Sequence, residues 1–481
     1  MNAAPSTVSR YKFSCLVSVA TCVAALLLAG GGRATAQSLT ALTSFAGVTP
    51  GWRQPGEPFA GDVTGTNDGV SYLYMQASNN ERGLAYGNGH LYLVSHANVA
   101  GSTANVRILD ALTGNDLGGL NNTGITGGTF AVNAGAVGSD GAIYAANLTT
   151  QSTTTPFKVY KWATEGSAPV VAYSGDAGLP GSRVGDSIGG FGGGASTRIA
   201  SGFSNSPNVA GNNGYTVIDP TAGTATAVSF ASTPPNAGEM RLGIAFSDAN
   251  HVFSKQVISA GSTTLYYTSY SGSTGTLVAS PALTAGSTAE YELAYTVLNG
   301  VPLLAAQSSG DSHISVYSVA DPANPVLLAN AAGLAGLPAN GNQTGEITWG
   351  AATVNLDGSA TQNLYGMRTN GGIRAFSFTL PAPSVNGDYN GNGVVDAADY
   401  VVWKKNLGLT GGATKSQGDG TGDGNVTSDD YDYWRARFGN TSGGSGTGGL
   451  ATTAVPEPNT IVMLITSLLI GASGVARRAR S

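Results

Sequence analysis

Short runs of alternating apolar and polar residues dominate the chain from residue 37 to residue 380. Runs such as Leu91–Val94 and Phe157–Trp162 are rich in Val, Ile, Leu, Tyr and Thr, and clusters of Gly, Asn, Asp and Ser separate them. Alternation of this kind is typical of strands that bury one face, and hardly any of the segment has the 3.6-residue period of a helix. We therefore predict an all-β body over residues 37–380.

A turn signal recurs at intervals of 51 to 58 residues within this body. The signals are Asn88-Gly89, Asp140-Gly141, Gly193-Gly194, Asp248-Ala249, Asn299-Gly300 and Asp357-Gly358. Periods near 50 residues with several strands in each unit are typical of β-propellers. An unmatched strand at Leu39–Phe45 would close the ring by pairing with the last unit. We predict a six-bladed β-propeller, with seven blades as the first alternative and a string of β-sandwiches as the second.

Composition narrows the classes of function. The 481 residues are 41% apolar and only 10% charged, with a formal net charge of −6. This balance excludes most disordered proteins, and the few scattered Lys and Arg residues argue against a nucleic-acid partner. Both cysteines, Cys15 and Cys22, precede the body, so neither disulfides nor thiolate metal sites are expected in it.

Residues 1–36 have the pattern of a secretory signal peptide. Basic residues precede an apolar stretch from Phe13 to Ala29, and Ala34-Thr35-Ala36 forms a small-residue cleavage site. An uncleaved membrane anchor is the alternative. We expect export, with maturation at Gln37.

The C-terminal end has a tripartite pattern at residues 455–481, after a Gly/Ser/Thr-rich linker at 441–454. Its parts are Val455-Pro456-Glu457-Pro458, an apolar run at 460–476, and the basic residues Arg477, Arg478 and Arg480. A helix of that length spans about 26 Å, near the lower limit for crossing a membrane. The order resembles the PEP-CTERM sorting signal of Gram-negative bacteria. The resemblance implies a transmembrane helix that an exosortase removes during delivery to the cell surface or extracellular matrix; a plain membrane anchor is the alternative.

Two twelve-residue segments, Asp388–Asp399 and Asp419–Asp430, repeat one pattern at an offset of 31 residues. Both have oxygen-bearing side chains at positions 1, 3, 5, 9 and 12, and Gly at position 6. Calcium takes six to eight oxygen ligands, and a tight loop needs Gly at position 6 for its turn. The predicted ligands are Asp388, Asn390, Asn392, the Val394 carbonyl, Asp396 and Asp399 in the first loop, and Asp419, Thr421, Asp423, the Asn425 carbonyl, Thr427 and Asp430 in the second. Because threonines replace charged or amide side chains in the second loop, we expect it to bind calcium less tightly.

Each loop precedes a predicted short helix, with Trp403 and Trp434 at equivalent positions. This duplicated unit, residues 386–440 after a linker at 381–385, resembles a type I dockerin. The resemblance implies a small all-α domain that holds two calcium ions and binds a cohesin-like module on another protein. The recognition residues that it implies are Ala397, Ala398, Val401, Val402, Ser428, Asp429, Asp432 and Tyr433. The two halves of this set differ, which argues against a symmetric dual binding mode.

Charged residues near the starts of the predicted inner strands should meet at one mouth of the propeller channel. They are Glu81, Asp186, Glu239, Arg241, Glu290, Glu292 and Glu346. Such a ring can hold a cation or a sugar, and two carboxylates at a suitable separation can perform glycosidic acid–base catalysis. The alternative is that these acids pair with Arg82, Arg183 and Arg241 or accept hydrogen bonds from backbone amides.

Two functions from different classes follow. The first is an exported, surface-sorted, non-catalytic propeller protein that binds an extracellular ligand or matrix polysaccharide and docks through a calcium-dependent dockerin. The second is an extracellular carbohydrate-active enzyme, a polysaccharide hydrolase or lyase, that carries a dockerin. An enzyme needs two positioned carboxylates, whereas a binder needs aromatic platforms such as Trp52, Tyr72, Tyr74 or Trp349. The sequence has no nucleophile elbow, P-loop or dinucleotide fingerprint, which favours the first function.

Overall fold

A computed structural model describes residues 37–45, 47, 49–57, 74–99, 101–205, 212–231, 240–255, 263–283, 290–355, 359–381 and 385–441. The predicted signal peptide and the predicted sorting tail, with Val455 to Pro458 and the terminal arginines, lie outside these residues. Among the residues described, no helix is long and apolar enough to cross a membrane.

The body consists of β-strands, as the alternating pattern predicts. In the first half of the body these are β1 (Ser38–Ala41), β2 (Trp52–Arg53), β3 (Glu81–Gly87), β4 (His90–Ser95), β5 (Asn105–Asp110), β6 (Asp116–Gly119), β7 (Phe130–Val137), β8 (Ile143–Leu148), β9 (Phe157–Trp162), β10 (Val170–Gly175), β11 (Arg183–Val184), β12 (Gly189–Phe191), β13 (Arg198–Ser204), β14 (Asn213–Asp219) and β15 (Thr224–Ser229). In the second half they are β16 (Gly243–Phe246), β17 (His251–Lys255), β18 (Leu265–Ser271), β19 (Thr274–Ala279), β20 (Glu290–Leu298), β21 (Val301–Ser308), β22 (Ile314–Ser318), β23 (Val326–Ala331), β24 (Gly345–Val354), β25 (Ala360–Arg368) and β26 (Gly372–Leu380).

These strands form five hydrogen-bonded sheets in the described part of the chain. Strands β3–β6, β7–β10 and β20–β23 each form a four-stranded antiparallel sheet in which chain neighbours pair. A fourth sheet contains β24, β25 and β26 together with β1 and β2, and the fifth joins β11 to β19 in one nine-stranded sheet. Four of the five sheets are therefore separate blades in a propeller arrangement.

The predicted count of six or seven blades is wrong. Two of the predicted repeat units are joined in the nine-stranded sheet, because their outer strands β15 and β19 pair through a parallel bridge between Ser229 and Thr274. Turn signals mark where the chain reverses direction within each unit. They do not show that the outer strands of two neighbouring units come within hydrogen-bonding distance. The segment of the predicted transmembrane helix, residues 460–476, lies outside the described residues.

The first strand closes the body, as its unmatched pattern predicts. Strand β1 pairs antiparallel with β26, and Leu39 lies opposite Phe378. The inner strands pack in the order β3, β7, β12, β16, β20 and β24, and β24 packs in turn against β3. These strands enclose a narrow channel with a volume of about 170 Å³.

Apolar side chains fill the space between neighbouring sheets. At the closure, Leu84 and Leu91 of the first blade pack with Tyr365, Met367 and Ile373 of the last sheet, and all five are buried. Burying a large apolar side chain contributes roughly 1.5–3 kcal/mol. The contact between the first and last sheets therefore contributes much of the free energy that holds the two ends of the β body together.

A small helical domain follows the body. Helix α1 (Ala397–Asn406) begins after Asp396, whose side chain accepts a hydrogen bond from the Ala398 amide, and α2 (Ser428–Arg435) begins after Thr427 in the same way. Such N-caps satisfy amides that have no partner inside the helix. The domain core is small; it consists of Tyr389, Val395, Trp403, Val426 and Trp434.

Candidate calcium and channel sites

The first predicted calcium loop curls around two buried carboxylates. Asp388 accepts hydrogen bonds from the amides of Gly391, Asn392 and Gly393, at 2.7 to 3.2 Å. Asp399 accepts three more from residues 389, 390 and 396, at 2.8 to 3.0 Å. The side-chain oxygens of Asn390, Asn392 and Asp396 accept bonds from the amides two residues further on. The loop therefore has a fixed shape with many oxygens inside it.

The second loop repeats this arrangement with one difference. Asp419 accepts bonds from the amides of Gly422 and Gly424, and Asp430 accepts bonds from those at 420, 421 and 427. The hydroxyls of Thr421 and Thr427 also donate to Asp430, at 2.9 and 3.3 Å. Each loop has three carboxylates among its predicted ligands, so the weaker second site rests on the threonines at positions 3 and 9 alone and stays a prediction.

The two halves of the domain brace each other through their tryptophans. Trp403 of α1 donates a hydrogen bond of 2.7 Å to the Thr427 carbonyl in the second loop, and Trp434 of α2 donates one of 3.1 Å to the Asp396 carbonyl in the first. These four residues are related in pairs by the 31-residue offset. The duplication read from the sequence is thus a pseudo-twofold arrangement in which each helix fixes the other helix's loop.

The residues of both loops fit a hard cation. Asp388, Asp399, Asp419 and Asp430 are almost fully buried, and no Lys or Arg in the described chain forms an ion pair with any of them. No group of three or more His, Cys, Asp or Glu side chains in the described ranges is arranged as a metal cluster. Each loop instead combines carboxylates with amide, hydroxyl and carbonyl oxygens, the mixed donor set that calcium accepts.

The predicted recognition residues lie mostly on the surface of the helical domain. Ala397, Ala398, Val401, Ser428, Asp429 and Asp432 are exposed, whereas Val402 and Tyr433 are half-buried. Val401 exposes 62% of its surface. The Arg437 guanidinium lies 3.4 Å from the centre of the Tyr433 ring, so the second helix presents a more polar surface than the first.

At the channel, the structure separates the predicted acids into paired and unpaired groups. Asp186 forms ion pairs with Arg183 at 2.5 Å and Arg241 at 2.7 Å. Despite its burial, hydrogen bonds from these arginines lower the pKa of Asp186. Asp186 is thus held between two arginines, and Glu239 lies outside the described residues.

Glu290 is buried and is held by hydroxyl groups. It accepts bonds from Ser315 at 2.6 Å and Tyr317 at 3.2 Å. Burial raises its pKa, and the nearby charge of Lys255 opposes that rise. The sequence did not indicate Lys255, which arrives from β17 of the neighbouring sheet.

Glu81, Glu292 and Glu346 are buried with carboxylate oxygens that lack a hydrogen-bond partner in the described structure. One oxygen of Glu81, one of Glu346 and both of Glu292 are in this state. Burial raises the pKa of Glu292 and Glu346 well above the usual value, and the charge of Glu292 raises that of Glu346 further. Arg368 also lies near Glu292, but its guanidinium donates to the carbonyls of Ser309, Pro338 and Thr369.

Glu81 makes the stability of the body depend on pH. Burial raises its pKa from 4.5 to about 7, so the folded protein keeps a proton that the unfolded chain releases near pH 4.5. The free energy of unfolding should therefore fall as pH rises from about 4.5 to about 7, on the order of 2 kcal/mol for this group. Urea denaturation at pH 5 and pH 8 checks this. Glu81→Gln should make the profile less steep, because the raised pKa values of Glu290, Glu292 and Glu346 leave the rest of the pH dependence in place. An unchanged profile would contradict the assignment.

Three of the four aromatic platforms predicted from the sequence lie in the described residues, and one of them, Trp349, lines the channel and the cavity at its mouth. Tyr74 is fully buried and Trp349 is 8% exposed, and the Trp349 indole donates to the Ala294 carbonyl at 3.1 Å. Trp52 is half-buried and donates to the Gly371 carbonyl, and Tyr72 lies outside the described residues. The structure places other aromatic side chains, Tyr267 and Tyr295, along a surface cleft.

Family comparison identifies the helical domain. Residues 386–434 match the family model of the dockerin type I domain. The chain therefore carries a type I dockerin, a kind of domain that binds calcium. No curated protein matches the chain.

Solved structures resemble the β body at low identity. A DUF4623 family protein from Bacteroides eggerthii is 16% identical with a TM-score of 0.47, and the match covers 64% of this chain and 72% of that one. A gluconolactonase from Xanthomonas campestris is 12% identical with a TM-score of 0.39, over 65% and 88% of the two chains. The allergen Mala s 1 of Malassezia sympodialis is 9% identical with a TM-score of 0.39, over 64% and 95%. At these values no conclusion about function rests on them.

Proposed function

We propose that this chain is an exported, surface-sorted, non-catalytic protein. In this proposal the β body binds an extracellular ligand or matrix polysaccharide, and the dockerin, with two calcium ions, docks to a cohesin-like module on another protein. Residues 1–36 direct export, and residues 455–481 direct sorting by an exosortase. The observation that carries the docking role is the pair of loop–helix units braced by Trp403 and Trp434.

The loops would act by fixing the position of the helices. A bound calcium ion supplies positive charge against the two buried carboxylates in each loop. Asp399 and Asp430 stand in the first turns of α1 and α2 and accept amide bonds from the loops, so each joins a helix to its loop. Because each tryptophan reaches across to the opposite loop, order in one half supports order in the other. The exposed faces of both helices are thereby held in a fixed relation.

The two faces support a single preferred docking orientation. The first carries Ala397, Ala398 and exposed Val401, a small apolar patch, whereas the second carries Ser428, Asp429 and Asp432. Apolar surface that is removed from water on association stabilises a complex. We therefore expect the first face to contribute more to cohesin binding.

Binding to a panel of purified cohesin modules tests the docking role. The full chain should bind one of them with calcium and lose binding in EDTA. Val401→Arg should weaken binding about a hundredfold, because the charge would be desolvated in the interface. Thr410→Ala, an exposed change outside both faces, is the matched control. Binding that persists in EDTA, or that is equally weakened by both substitutions, would contradict the proposal.

The second candidate function is an extracellular carbohydrate-active enzyme, and the buried pair Glu292 and Glu346 favours it. Glycoside hydrolysis requires two carboxyl groups, one of them kept protonated near neutral pH. Incubation with soluble and insoluble polysaccharides, scored for new reducing or unsaturated ends, separates the two functions. Product ends that disappear in Glu292→Gln or Glu346→Gln would establish the enzyme.

A further inference from the structure

A cleft runs between strands β16–β19 and the sheet formed by β20–β23. Its volume is about 470 Å³. Phe253, Tyr267 and Tyr295 line its aromatic part, and Val278, which is 53% exposed, lines it as well. The cleft is therefore open to solvent and largely apolar.

The aromatic side chains beside this cleft form a continuous stack. The rings of His251 and Tyr267 lie 5.5 Å apart, those of Tyr267 and Phe253 4.4 Å apart, and those of Phe253 and Tyr295 5.9 Å apart. The planes of adjacent rings are within 29° of each other. Phe253 is buried, whereas Tyr267 and Tyr295 are half-buried and line the cleft. Tyr267 is an inner ring of this stack, between His251 and Phe253, whereas Tyr295 is the ring at one end and lines the cleft.

The cleft leads to a second cavity at the mouth of the channel. Ser247 and Tyr295 line both spaces. The second cavity has a volume of about 650 Å³, and Tyr86, Phe191 and Gln362 are among its lining residues. The two spaces together accommodate an extended molecule rather than a single compact one.

The charge of these two spaces indicates the class of ligand. No Lys, Arg or His is among the lining residues of either space, and the two charged ones, Asp248 and Asp321, are acidic. Anionic chains would meet repulsion without a compensating cation. Asparagine, glutamine, serine and threonine side chains at the channel mouth can exchange hydrogen bonds with hydroxyl groups.

We propose that this cleft is a binding site for a neutral saccharide chain. The apolar face of a sugar ring would pack on Tyr295 at the end of the stack, and the sugar hydroxyls would bond to Asp248, Ser247 and the amide groups at the channel mouth. The inference rests on the proposed role of the β body as a binder and names the class of its ligand. It does not depend on the dockerin.

Calorimetric titration of the full chain with defined oligosaccharides tests the site. The probes are cellohexaose, xylohexaose and mannohexaose as neutral chains, and hexagalacturonate as the anionic one. At least one neutral chain should bind. Tyr295→Ala should weaken that binding about tenfold, because it removes the ring shared by both spaces. Tyr295→Phe keeps the ring and should bind as the unaltered protein does.

A second measurement does not require a variant to fold. In saturation-transfer-difference NMR on the unaltered protein, irradiation of the aromatic protons should saturate the protons on the faces of the bound neutral sugar. Binding of hexagalacturonate alone, no binding of any neutral chain, or equal affinities for Tyr295→Ala and Tyr295→Phe would overturn the inference. New reducing ends during the titration would contradict the proposed non-catalytic role, but they would not contradict the binding site. Loss of cohesin binding would change neither the titration nor the NMR result.

Discussion

Chelation of calcium is expected to unfold the dockerin and leave the β body folded. The four carboxylates at loop positions 1 and 12 are buried with no cationic partner in the described structure, so without the ion their repulsion and desolvation oppose folding. The five core residues of the domain are too few to offset this cost, since domains of this size depend on metals or disulfides. In calorimetry, the full chain should show two thermal transitions with calcium and one in EDTA.

A single substitution should reproduce the effect of chelation in the first loop. Asp399 accepts bonds from the amides of Tyr389, Asn390 and Asp396, and hydrogen bonds to a charged group contribute about 1.5–3 kcal/mol each. Asp399→Ala should therefore cost the domain about 3 kcal/mol or more and remove its separate transition. Asp429→Asn, a substitution at an exposed position of α2, should leave the transition in place. A dockerin transition that survives both EDTA and Asp399→Ala would show that the ion is not structural.

Replacing Gly243 with alanine is expected to disrupt the ring of inner strands. Gly243 begins β16, and a Cβ added there would overlap the carbonyl oxygen of Tyr291 in the neighbouring strand β20. Backbone cannot move aside as a flexible side chain can, so the two strands would have to separate. Overpacking at a buried site typically costs about 1–3 kcal/mol, and a clash with backbone falls at or above the upper end. Denaturation by urea, followed through the body's fluorescence, measures the loss.

Gly166→Ala is the matched control for this prediction. Gly166 lies in an exposed turn, and an added Cβ would meet no atom within 4 Å. Its substitution should change the free energy of unfolding by less than about 0.5 kcal/mol. Equal effects of the two substitutions would mean that close approach of β16 and β20 does not limit stability.

The dockerin could be predicted from the sequence almost entirely. Its ligand pattern is local, because twelve consecutive residues contain every side chain of one loop, and the 31-residue offset repeats the pattern. The structure adds the crossed hydrogen bonds of Trp403 and Trp434, which join residues 24 and 38 positions apart. The family match at 386–434 confirms the type of domain.

The sequence predicts that the channel acids lie near one another, but it does not predict the partner of each acid. Their position near the starts of inner strands follows from the repeat, but their partners come from other strands. Asp186 acquires two arginines, whereas Glu292 and Glu346 acquire no partner for three of their oxygens. Alternation of apolar residues carries no information about which side chain from a distant strand lies opposite a given carboxylate.

The all-β character of the body, the pairing of the first strand with the last, and the dockerin domain all follow from the sequence alone. Each of these depends on alternation, spacing or short-range geometry, which neighbouring residues specify. Only the tertiary structure decided that two repeat units merge through Ser229 and Thr274, that Trp349 is buried, and that Tyr267 and Tyr295 line an open cleft. These features arise where separate sheets meet, and the depth and contacts of each residue there depend on packing between segments far apart in the chain.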